Sequence, residues 1–170
     1  MDFLILAKER YSCRKLSAKP VEKEKIDKII ECAISAPTGM NRQPFKIWVV
    51  NSEEGKANLA KVTPFTFGAN IFFVVGYKPV DCYVRPFDGR NFADIDTSIV
   101  ATHIMLEVQN LGLGTTWVGH FDAPALKRKY AEMADYELIA IFPVGYPAED
   151  AKPAGKHFER KSAEELVKYI

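Results

Sequence analysis

The chain has 170 residues, 48% hydrophobic and 26% charged, with a formal net charge of +1. That length is most simply one domain, residues 1–170, with enough chain to bury a core. The near-neutral balance leaves no basic footprint for nucleic acid, and the one apolar run at the start, Phe3 to Ala7, is too short for a signal peptide or a membrane span. Three widely spaced cysteines (Cys13, Cys32, Cys82) lack a C-x-x-C, which fits a reducing cytoplasm without structural disulfides. His103, His120 and His157 match no metal-ligand spacing, so no metal site is expected.

In chain order, Asp2 caps a short helix through about Glu9. Glu9-Arg10-Tyr11-Ser12-Cys13-Arg14 follows, two arginines four apart around a serine. Guanidinium forks and a hydroxyl match phosphate oxygens, and a helical turn would put positions 10 and 14 on one face. A helix opened by Val21 and Glu22 repeats Ile26, Ile29, Ile30, Ala33 and Ile34 at helical spacing and stops where Ala36 meets Pro37. The loop Pro37-Thr38-Gly39-Met40-Asn41-Arg42-Gln43-Pro44 is either plain connection or a site.

Phe45 to Val50 reads as a strand, and Ser52 caps a helix over Glu53 to about Lys61. Ile71 to Gly76 is a continuous β-prone run, typical of a strand covered on both faces. Pro79 to Phe92 is irregular, interleaving Tyr83, Phe87 and Phe92 with Arg85 and Arg90; it reads as a surface excursion with packed aromatics or as a lid. Asp94 to Leu111 is a helix apolar nearly all round, so it must be covered on all sides, in part by a second copy across a two-fold axis. Gly112-Leu113-Gly114 stops it, and Thr115 to Phe121 reads as a strand. These glycines make no dinucleotide fingerprint, because Trp117 stands where the third would fall and they follow a helix. Asp122 caps a helix to about Met133, Leu138 to Val144 is a third buried strand, and Ser162 with Glu165 opens a last helical segment, Glu164 to Ile170.

Five motifs then occur in order: Arg10-x-Ser12-x-Arg14; Ala36-Pro37-Thr38-Gly39-x-Asn41-x-Gln43-Pro44; Asp96 opening the long helix; Gly112-Leu113-Gly114-Thr115-x-Trp117-x-Gly119; and Pro143-Val144-Gly145-Tyr146-Pro147. Arg160 follows near the C-terminus. Over essentially its whole length the chain resembles a short member of the FMN-dependent nitroreductase family. The resemblance implies an α+β fold, a central, mostly antiparallel sheet flanked by helices, in an intertwined homodimer with FMN at the interface. It implies that Arg10, Ser12 and Arg14, with Tyr11 in the same stretch, bind the phosphate and ribityl end, and that Arg160 closes on the phosphate. Pro37, Thr38, Gly39 and Asn41 would come from the partner chain, while Trp117, Val118 and Gly119 would run along the flavin near N5 and O4.

The implied activity is a ping-pong hydride transfer through flavin N5, from NADH or NADPH to a nitroaromatic, quinone or similar flat electron-poor acceptor. No amino-acid nucleophile or general base is assigned, since the cofactor carries the chemistry. Two alternatives stay open: another reduction on the same scaffold, such as dehalogenation or enone reduction, and a flavin-holding protein without useful turnover. The chain departs from the family pattern at Val118, where many longer members are acidic, at Thr38 in place of serine, and in a shorter segment between Lys78 and Ala93.

Overall fold

A computed structural model describes residues 2–170. The elements are α1 (Phe3–Glu9), α2 (Lys23–Ile34), β1 (Phe45–Val50), α3 (Glu53–Val62), β2 (Ile71–Tyr77), α4 (Ala93–Asn110), β3 (Gly114–Thr115), α5 (Ala123–Lys129), β4 (Glu137–Gly145) and α6 (Ala163–Leu166). The strands form one antiparallel sheet in the order β1-β2-β4-β3. This is the α+β fold, an antiparallel sheet with flanking helices, that the family resemblance implies.

Strand alternation divides the core. Phe73 and Val75 of β2 and Phe142 and Val144 of β4 face one side, packed on Ile29 and Ala33 of α2 and Val100, Ala101, Ile104 and Val108 of α4. Phe72, Val74 and Ile141 face the other, packed on Leu59 and Val62 of α3, Leu126 of α5 and Met133. With both faces covered, β2 has no polar residue to alternate, which is why it reads as an unbroken apolar run. The caps at Asp2, Ser52 and Asp122 form as expected, each side chain accepting from a backbone N–H of the first turn. Gly112 takes a left-handed φ of 71° where α4 stops, and Leu113 N–H returns to the Val108 carbonyl at 2.9 Å.

Three expectations give way to the structure. The Thr115–Phe121 strand is only the two residues of β3 plus one isolated bridge, Val118 to Ile141. Both obey one register, which sets Thr116 opposite Pro143, and a proline has no N–H to continue the ladder. The helix after Asp122 ends at Lys129 because Tyr130 turns extended (φ −129°), packing on the α3–α5 side of the core, where its hydroxyl accepts from Asn58 Nδ2 at 3.3 Å; a single 3-10 turn, Ala131–Met133, follows. The last helix stops at Leu166 with Val167 extended, since four residues with no buried face cannot offset the cost of nucleation. The helix α4 buries Val100, Ala101, Ile104 and Val108 and leaves Ile95, Ile99, Met105 and Leu106 half-buried within the chain, a face that the expected second copy would have to cover.

Candidate functional site

The arginine segment is extended, not helical. Ser12 bridges Thr115 in parallel, with Cys13 N–H donating to the Thr115 carbonyl at 2.9 Å, and Leu16 bridges Pro147. In an extended chain alternate residues share a face, so residues 10, 12 and 14 converge by a period of two. Cys13 faces inward, fully buried, against β3; a Cβ on Gly114 would lie 2.8 Å from its Sγ, so glycine there is what lets the segment seat so closely.

Arg10, Ser12 and Arg14 line a cavity of about 240 Å³ together with Ala154, Lys156, His157 and Arg160. Both ends of the chain thus meet at one point. Among the described residues no carboxylate lines this cavity, and none of the three arginines is ion-paired. Burial, and after it the neighbouring Arg160 guanidinium, pull Arg10 below its ordinary pKa. Cations crowded in this way without a counter-charge are the donor set of an anion site. Tyr11 lies off the cavity wall, edge-on to His157 at 6.4 Å, and its hydroxyl is pushed up to about 12 by burial first and then by the Cys13 thiol.

Arg14 also lines a second, apolar cavity of about 230 Å³, with Phe65, Phe67, Thr116, Trp117, Val118, Gly119 and His120. Phe65 stacks on Phe67 at 5.8 Å and meets His120 edge-on at 5.7 Å, while Trp117 sits edge-on over Phe142 at 5.3 Å. Val118 exchanges both backbone hydrogen bonds with Ile141 at 3.0 Å, so its N–H is committed to the sheet. The wall of Phe65, Phe67 and His120 in the apolar cavity, and Lys156 and His157 in the basic one, were not legible as site residues in the sequence. The one signal for the latter pair is the basic character of the tail, with Lys156 four residues before Arg160.

Pro37, Thr38, Gly39 and Asn41 line neither cavity of this chain. Their loop forms a 3-10 turn over Gly39–Asn41 in which Met40, Asn41 and Gln43 all have φ near +50°. For side chains of this kind the left-handed region costs on the order of 1 kcal/mol per residue. Thr38 Oγ1 accepts from Gln43 N–H at 3.0 Å, and Gly39 N–H donates to Asp96 Oδ1 at 3.0 Å. Pro79–Phe92 is ordered by its own contacts: Tyr83 meets Phe92 edge-on at 5.5 Å, Arg85 pairs with Asp88, and Phe87 is left 94% exposed.

Among the described residues no helix is long and apolar enough to cross a membrane, and no three His, Cys, Asp or Glu side chains gather to hold a metal ion. A nitroreductase family protein from Clostridium difficile 630 superposes with a TM-score of 0.91 at 37% identity, covering 99% of this chain and 98% of that one. A Methanothermobacter thermautotrophicus protein provisionally named NADH dehydrogenase/NAD(P)H nitroreductase is 29% identical over 154 residues, 88% of this chain and 80% of that one. A protein of Exiguobacterium sibiricum 255-15 solved in complex with FMN shares the fold, with a TM-score of 0.84 at 20% identity over 100% of this chain and 98% of that one. The Nitroreductase family model matches residues 7–66 and 63–146, and the chain belongs to the nitroreductase family.

Proposed function

We propose that this chain is an FMN-dependent oxidoreductase that uses NADPH or NADH to reduce a flat, electron-poor acceptor such as a nitroaromatic or a quinone. The observation that carries the reading is the unpaired basic cluster of Arg10, Arg14, Lys156 and Arg160, joined through Arg14 to an aromatic-walled cavity. One end suits a single phosphate and the other a planar ring. The donor set fits FMN, and the lack of any dinucleotide fingerprint argues against a second phosphate. The NAD(P)H nitroreductase name of the Methanothermobacter relative and the FMN complex of the Exiguobacterium neighbour point the same way.

Within this reading Arg10, Ser12, Arg14 and Arg160 hold the phosphate by charge-assisted hydrogen bonds. Trp117 and Gly119 lie along the ring cavity, where any free backbone N–H would stabilise negative charge developing near it, because the N–H of Val118 is already taken. Phe65 and Phe67 exclude water from that cavity. Pro37, Thr38, Gly39 and Asn41 serve the site of a second subunit, with the half-buried residues of α4 and the exposed Ile34 of α2 as the contact between copies. FMN, when bound, supplies the hydride relay of a ping-pong cycle, and the single domain of residues 1–170 supplies binding, orientation and electrostatics.

The visible absorbance of the purified protein, recorded anaerobically before and after NADPH or NADH, tests this. The expected result is a flavin spectrum that bleaches with a nicotinamide and recovers on adding a quinone or nitroaromatic. Protein that is colourless and stays so after incubation with FMN contradicts the cofactor; a bound flavin that never bleaches contradicts the turnover.

A further inference from the structure

The turn after α2 holds three non-glycine residues in the left-handed region within four positions, Met40, Asn41 and Gln43. L-residues enter that region singly and reluctantly, so a cluster persists only where its surroundings over-determine it. Part of the restraint is internal, from the Thr38 carbonyl and hydroxyl, which accept from Asn41 N–H at 2.9 Å and Gln43 N–H at 3.0 Å. The rest comes from α4, where Asp96 accepts the Gly39 N–H at 3.0 Å.

Asp96 is only 3% exposed, and its second oxygen, Oδ2, is buried with no hydrogen-bond partner. An interior carboxylate with half its acceptors idle is a poor choice for packing, where an apolar side chain would avoid the desolvation. The turn also lies unusually close to Tyr83, with Asp96 at ordinary contact distance beside it. A Cβ on Gly39 would lie 2.8 Å from Tyr83 Cβ and 3.4 Å from Asp96 Oδ2. The turn is therefore seated in a slot formed by Asp96 and Tyr83, and only glycine fits it.

We propose that Asp96 is the positioning residue of the 38–43 turn: its buried carboxylate docks Gly39 against Tyr83 and so fixes the strained shape in which this loop is presented to a neighbouring subunit. The link to a neighbour's flavin rests on the reading given under Proposed function; the docking itself does not. Tyr83 belongs to the 79–92 excursion, so the same slot joins that excursion to the turn.

Methyl-13C methionine NMR of the full chain, with and without FMN, tests it. Met40 is 77% exposed at the tip of the turn, and Met133, 2% exposed, reports the core. Asp96→Ala is expected to shift and sharpen the Met40 signal toward an unstructured value, leave Met133 in place, and weaken FMN binding by about tenfold or more. Asp96→Asn keeps an oxygen acceptor for Gly39 and is expected to retain the wild-type Met40 signal. Should Asp96→Ala fail to fold, Gly39→Ala, which leaves the core intact, is expected to move Met40 in the same way. A wild-type Met40 signal in Asp96→Ala or in Gly39→Ala, or an Asp96→Asn protein that behaves like Asp96→Ala, overturns the proposal. Wild-type protein that binds no FMN, with Met40 still responding to Asp96→Ala, would end the flavin reading and uphold the docking.

Discussion

The arginine segment at residues 10–14 and the turn at residues 37–43 are built in opposite ways. The first is paired to β3 and the Pro147 corner, with Cys13 sunk in the core, and it meets Lys156 and Arg160 in the same chain. The second is exposed and backbone-strained, held by Thr38 and Asp96, and it lines neither cavity. A cation cluster has to be rigid to hold its charges together without a counter-ion, so it sits on the sheet. If, as proposed, this loop completes another subunit's site, it has to project, and its shape is then enforced from behind.

The largest expected effect falls on the rigid half. Arg14→Ala removes the one side chain shared by both cavities and should weaken FMN binding by about 10- to 150-fold, the value of one or more hydrogen bonds to a charged group. Equilibrium titration with flavin fluorescence measures it, and an unchanged affinity would place the anion elsewhere. Next comes the division of labour between subunits. Arg14→Ala and Gly39→Ala proteins, each impaired alone, should recover activity when unfolded together and refolded as mixed dimers, because one site in each hybrid is then intact. About a quarter of all sites would be restored for a two-fold dimer. No recovery on mixing would mean that both regions serve the same subunit.

A smaller change should separate the site from its scaffold. Lys25 Nζ donates to the Leu111 carbonyl at the end of α4 and to the Tyr146 hydroxyl, both at 2.9 Å, while Tyr146 donates to Glu22 at 2.6 Å. Lys25→Met should lower unfolding stability by about 1–2 kcal/mol, read by denaturant melts, and leave FMN affinity unaltered. The smallest effect concerns alkaline pH. Burial first raises both Tyr11 and Tyr77 to about 12, with the Cys13 thiol adding at Tyr11 and Asp94 at Tyr77. Their hydroxyls stay protonated in the folded chain after the unfolded chain has begun to ionise, near the ordinary value of 10.0. Stability contributed by the protonated forms is complete below pH 10 and is lost as pH rises toward 12. Tyr11→Phe and Tyr77→Phe should flatten that decline in melts across the range.

Local chemistry was legible in the sequence, and long-range seating was not. Asp2, Ser52 and Asp122 announce helix starts because a cap involves only the next three residues. The arginines at 10 and 14 suggest an anion by their type, and the family resemblance adds Arg160. Their convergence rests on an extended segment, and the sequence suggested a helical turn because the pairing that extends it lies a hundred residues away, at Thr115. Pro143 truncates the ladder beside β3 by the same kind of distant effect, visible only once register is known. Phe65 and Phe67 lie between the expected elements and His120 within the expected Thr115–Phe121 strand, and only the fold brings the three to Trp117. Asp96 was noticed as part of a motif, yet nothing along the chain pairs it with Gly39, 57 residues earlier.

In the proposed reading, guanidinium groups from both ends of the chain hold the phosphate of a flavin. Titration of flavin-free protein with FMN and, in parallel, with riboflavin, which lacks only the phosphate, isolates that contact. FMN is expected to bind at least about a hundredfold more tightly, with the gap narrowing in Arg14→Ala. Equal affinity for the two flavins in the wild-type protein would contradict it.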